Sequence, residues 1–140
     1  MTWNTVEARR MSPQRDGRLD VRAVRDQVRE WVGPRESVDA DDLDLVVTEI
    51  VTNAVRHTAS GRAGGGVDVT VRTSDGDKGR VRVEIADDGG AACAPHFSAD
   101  GRTGEWSDES GRGLVIVAGL ARRAGAEPDS SGRWVVWFEM

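Results

Sequence analysis

The stretch that most constrains this chain runs from Asp41 to Ser60, DDLDLVVTEIVTNAVRHTAS. Leu43, Val46, Val47, Ile50, Val51, Ala54 and Val55 recur at the spacing of one helix face. The stretch therefore predicts an amphipathic helix with a broad apolar side turned to a core. Asp39, Asp41 and Asp42 crowd its start, where carboxylates cap free N–H groups and suit the positive end of the helix dipole. The opposite side carries Glu49, Asn53, Arg56 and His57. Residues four apart lie one turn above each other, so Glu49 and Asn53 project in the same direction. Asn is a poor helix-interior residue because its amide competes for backbone hydrogen bonds. Alone, the pair reads as a solvated helix face.

Two later stretches change that. A strand-like run, Val81 to Ala86, ends in Asp87-Asp88-Gly89-Gly90. By itself this is an ordinary turn, although glycine there lets a backbone approach a ligand closely. Further on, Glu109-Ser110-Gly111-Arg112-Gly113-Leu114 reads as a glycine turn opening a helix over Val115 to Arg123. A helix N-terminus presents free N–H groups and a positive dipole end to an anion. Glu and Asn on a helix, Asp-x-Gly after a strand and Gly-x-Gly-Leu before a helix come in that order. Together they resemble the histidine-kinase/Hsp90-like ATPase superfamily (GHKL), the Bergerat ATP-binding fold. Within it the chain looks like the small bacterial branch of anti-sigma-factor serine/threonine kinases, from about Leu19 to Met140.

The resemblance implies an α/β (α+β) fold, a two-layer sandwich with a mixed, antiparallel-rich sheet. It implies ATP and Mg²⁺ as cofactors. Asn53 matches the position whose side-chain oxygen binds the metal, and Glu49 the proposed general base. Arg56 matches a cation near the phosphates. Asp87, with Gly89, matches the residue that accepts a hydrogen bond from the adenine amino group. Gly111, Arg112, Gly113 and Leu114 match the second glycine box, and residues 91–110 the ATP lid. The family's Asp-x-Gly-x-Gly pattern has Ala91 here in its last place, beside Gly90. For His57, packing and a helix C-terminal role both stand. Phe97 and Trp106 could anchor the lid or simply cover the core.

The rest of the chain agrees with one domain spanning residues 1–140. Residues 1–18 are poorly patterned, with a possible short strand over Trp3 to Ala8. Leu19 to Val32 predicts a helix stopped by Gly33-Pro34. Val67 to Arg72 and Arg80 to Ala86 alternate apolar and polar residues around an Asp75-Gly76 signal, the pattern of an antiparallel hairpin. Gly125 is expected to end the last helix, Glu127 to Gly132 to be a loop, and Arg133 to Glu139 a closing strand.

Several chemistries fall away. Two histidines and one cysteine make no zinc constellation, and no Walker phosphate loop or Gly-x-Ser-x-Gly elbow occurs. A net charge of −5 argues against direct nucleic-acid binding. No signal-peptide core or membrane-span run is visible, so a cytoplasmic protein without membrane contact is expected.

Two functions are weighed. The first is a serine/threonine kinase that phosphorylates a STAS-type anti-sigma-factor antagonist, holds a sigma factor by partner switching and so regulates transcription. In that branch the N-terminal region also serves dimerisation, which leaves a homodimer open. The second is an ATP-dependent partner-binding module without phosphoryl transfer, suggested by Ala91.

Overall fold

A computed structural model describes residues 2–13, 17–74, 79–91, 95 and 109–140, with the backbone alone at 109–113. The chain forms β1 (Trp3–Met11), α1 (Val21–Val32), α2 (Ala40–His57) and a 3₁₀ turn (Ala59–Gly61). Then follow β2 (Val67–Ser74), β3 (Val81–Ala86), α3 (Glu109–Leu120), β4 (Arg123–Pro128) and β5 (Trp134–Glu139). The strands make one sheet in the order β1-β2-β3-β5-β4, antiparallel at each pairing. This is the expected two-layer α+β architecture. Of the expected lid, residues 92–94 and 96–108, Phe97 and Trp106 among them, lie outside the described residues, as does the Asp75-Gly76 signal, and residues 109 and 110 belong to α3.

The core follows the sequence pattern closely. Leu43, Val46, Val47, Ile50 and Val51 of α2 are buried against Val67, Val69 and Val71 of β2 and Val81, Val83 and Ile85 of β3. The two strands face each other in register, with Val69 opposite Ile85 and Val71 opposite Val83. Val24, Val28 and Val32 of α1 and Leu114 and Val117 of α3 complete the helical layer. Asp39 caps α2, its Oδ1 accepting from Asp41 N at 2.9 Å and Asp42 N at 3.0 Å. Asp20 caps α1 likewise, so that helix starts at Val21, two residues after Leu19.

The other sheet face is polar. Arg82 bridges Glu84 at 2.9 Å and Glu139 at 2.7 Å, and lies 4.1 Å over the Trp137 ring. Long side chains can cover such a face with their stems while their charged heads stay hydrated. Among the described residues, no helix is long and apolar enough to cross a membrane.

Other elements also depart from the expected bounds. β1 extends to Met11, with a register shift between Thr5 and Glu7 that leaves Val6 exposed. α2 stops at His57, because Thr58 turns extended and its hydroxyl donates to Ala54 O at 2.6 Å while accepting from Ser60 N at 3.1 Å. The last helix ends at Leu120, and residues expected as helix end and loop form the edge strand β4. There Gly125 passes beneath Trp137, where a Cβ would meet Cζ2 at 2.8 Å. Ala124 and Ala126 pack against the core without the bulky alternation that marks most strands.

Phe138 is fully buried in β5, so Phe138→Ala is expected to cost about 3–5 kcal/mol. Asp39→Ala is expected to cost about 1 kcal/mol through the lost cap. Urea denaturation of the two variants checks this ranking; a loss at Phe138 no larger than at Asp39 would contradict the described core.

Candidate functional site

The second half of α2 supplies the first candidate group. Asn53 is only 2 % exposed, in the interior of the helix. A solvated face is therefore excluded for this residue, and burying an amide there requires polar partners. Glu49, one turn earlier on the same flank, is half-buried; Arg56 is exposed and His57 half-buried.

The turn after β3 supplies the second group. Asp87 is 3 % exposed, and its Oδ1 accepts from Gly89 N at 2.6 Å and more weakly from Trp134 N at 3.5 Å. Its own N–H donates to Trp134 O at 3.1 Å. Both of these backbone donors reach the same oxygen, Oδ1. Burial pushes the Asp87 carboxyl above its ordinary range, partly offset by the two backbone donors. Gly89 and Gly90 have φ of +84° and +83°, values that side chains rarely tolerate. Ala91 follows half-buried and packed on the core.

These two groups are joined by the short segment that ends α2. Asp88 N donates to Ser60 Oγ at 3.0 Å, and Ala59 N donates to Gly89 O at 2.8 Å. Ser60 itself is completely buried. The Asp88 carboxylate points elsewhere. It accepts from both terminal nitrogens of Arg10, at 2.9 and 2.8 Å, and from Gly66 N at 2.8 Å. The Arg10 guanidinium, helped by Gly66 N, holds that carboxyl below its ordinary value. Asp68 extends the network, accepting from Arg10 at 3.4 Å and from Arg133 at 2.6 Å.

The glycine box behaves differently from expectation. α3 already begins at Glu109, so Gly111, Arg112 and Gly113 lie inside its first turns and not in a turn ahead of it. The glycines' low helix propensity argued for a later start, but α3 packs along α2 with Leu114 and Val117 anchored in the core. Leu114 is 1 % exposed, so its side chain serves packing and only its backbone could face a ligand. Among the described residues no group of three His, Cys, Asp or Glu could hold a metal by itself.

Thr58, Ser60, Asp88 and Arg10 were not singled out by sequence. The Thr-x-Ser after a helix was a local clue to the first two. Nothing in sequence pairs Arg10 with Asp88.

Residues 16–138 match the family model described as histidine kinase-like ATPase domain. Among solved structures, the fold is similar to the RsbU and RsbW domains of Rv1364c from Mycobacterium tuberculosis, with TM-score 0.59 and 20 % identity. The similarity covers 95 % of this chain and 32 % of that one, so this chain spans about a third of its length. At that identity the likeness is one of fold. No curated protein matches the chain.

The two neighbouring carboxylates should affect stability with opposite sign. Asp87 has a raised pKa, so the native state holds its proton more tightly and stability falls as pH rises through the window above the ordinary carboxylate value. Asp87→Asn is expected to remove that decline and to be at least as stable as wild type at neutral pH. Asp88 has a lowered pKa, so its contribution is present above the ordinary value and lost as pH falls through the depressed one. Asp88→Asn is expected to lose about 1 kcal/mol at neutral pH, with the gap closing in acid. Urea melts between about pH 3 and pH 7 test both; equal stability of wild type and Asp88→Asn at neutral pH would contradict the Arg10 pairing.

Proposed function

This chain belongs to the histidine kinase-like ATPase family, and on that premise we propose that it binds Mg-ATP and acts as a serine/threonine protein kinase of the anti-sigma-factor type. The observation that carries the reading is the docking of the Asp87–Gly89 turn on the end of α2. It ties a buried carboxylate suited to an adenine amine to the helix that bears Asn53 and Glu49.

In this reading the Asp87 carboxylate accepts a hydrogen bond from the adenine amino group, and Gly89 and Gly90 allow the base to approach the backbone. The free N–H groups in the first turn of α3 and the Arg56 guanidinium draw the phosphates. Asn53 offers an oxygen ligand, which suits Mg²⁺, since that ion takes few protein ligands and keeps waters and phosphate oxygens. Bound with the nucleotide, the metal would neutralise charge on the phosphates. Glu49 would take the proton from a serine or threonine hydroxyl as that oxygen bonds to the γ-phosphorus and the bond from phosphorus to the bridging oxygen of ADP breaks, with ADP leaving.

The substrate of that transfer would be a STAS-type anti-sigma-factor antagonist, with a sigma factor as the alternate partner. The family resemblance and the fold shared with the RsbU and RsbW domains of Rv1364c support this assignment. A second reading, an ATP-dependent partner-binding module without phosphoryl transfer, is favoured by Ala91. That residue occupies the last glycine place of the family pattern and packs into the core.

Calorimetric titration should give saturable Mg-ATP binding, weakened about tenfold or more by Asn53→Ala. Absence of binding by folded wild type would overturn the ATP-binding reading. With ATP bound, Glu49→Ala should slow phosphorylation of an antagonist protein about a hundredfold while nucleotide affinity changes little. Tight Mg-ATP binding without phosphoryl transfer by wild type would decide for the second reading.

A further inference from the structure

Asp87 is the residue that would meet the base, yet little of what holds it in position belongs to its own strand. Its backbone neighbours are clamped from three sides. Ser60 Oγ accepts from the Asp88 N–H at 3.0 Å, Ala59 N donates to the Gly89 carbonyl at 2.8 Å, and Arg10 donates to the Asp88 carboxylate with two nitrogens at 2.9 and 2.8 Å. The Asp88 carboxylate is 17 % exposed and the Arg10 side chain 42 %. A single pair this exposed adds little stability, but a bidentate guanidinium fixes orientation as well as charge. Arg10 sits on β1, an outer strand of the sheet, directly across from Asp68 of β2. The Asp87 carboxylate accepts from Gly89 N and, at 3.5 Å, from Trp134 N, so the clamps on Asp88 and Gly89 help to set where it points by fixing the turn that carries Gly89.

We propose that Arg10 and Ser60 are positioning residues for Asp87, so that the outer strand β1 sets how strictly the site distinguishes a purine bearing a 6-amino group from one lacking it. This rests on the ATP-binding reading above. Neither residue touches the nucleotide. Arg10 acts through Asp88, and Ser60 through the Asp88 N–H, and their loss lets the turn and the Asp87 oxygen drift from the amine. The phosphate end, built from α2 and α3, is unaffected. Discrimination should therefore fall while the affinity common to all purine triphosphates is kept.

The test measures affinities for Mg-ATP and for Mg-purine riboside triphosphate, which lacks the 6-amino group, by calorimetry on the full chain. Wild type should prefer ATP about tenfold, the worth of one hydrogen bond to a charged group. Asp87→Asn should erase the preference. Arg10→Met and Ser60→Ala should each reduce it about threefold or more, with affinity for the analogue changed less than about twofold, and Arg10→Lys should restore part of it. Arg10 is exposed, so Arg10→Met will report even if the buried Ser60→Ala misfolds. An unchanged preference in Arg10→Met, or an equal loss for both nucleotides, overturns the positioning role and leaves the ATP reading intact. No nucleotide binding by wild type overturns both.

Discussion

Two hydrogen bonds hold the candidate site together: Asp88 N–H to Ser60 Oγ, and Ala59 N–H to the Gly89 carbonyl. They join the segment that ends α2 to the turn that ends β3, two elements that also share the apolar core. Apolar packing is not directional, so the core alone would leave the turn free to take several positions over the helix end. The hydroxyl of a completely buried serine removes that freedom. Thr58 prepares it by ending α2 and bending the chain into a 3₁₀ turn, its own hydroxyl bonding backward to Ala54 and forward to Ser60.

The same turn holds two adjacent carboxylates in contrasting environments. Asp87 is buried, with its donors on one oxygen, and carries a raised pKa; Asp88 is gripped by Arg10 and carries a lowered one. The first arrangement works against folding at neutral pH and the second supports it. In the proposed ATP site the buried acceptor would be stabilised by the ligand's donor while the neighbouring ion pair holds the turn in place, so that two consecutive residues would divide recognition from support.

How much of this could be read from sequence depended on distance along the chain. The caps and apolar face of α2, the register of β2 against β3, and Asp87 at a strand end all follow from local patterns. The end of α2 falls three residues before the expected one because Thr58 and Ser60 are acceptable within a helix until their hydroxyls find backbone partners. β4 was hidden because its inward residues are alanines and Gly125 serves a contact with Trp137, which sits on another strand. The early start of α3 depends on packing against α2, which outweighs the poor propensity of its glycines. Arg10 and Asp88 lie 78 positions apart, and no spacing rule connects them. Sequence could point to the groups that would meet a nucleotide, but not to those that hold them.

If the helix end and the strand-end turn form one nucleotide-binding unit, Mg-ATP titrated into isotopically labelled protein should move backbone amide resonances saturably at Glu49 to Ser60, at Asp87 to Gly90 and in the first turn of α3. Shifts confined to the charged outer face of the sheet, or none at all in folded protein, would contradict it.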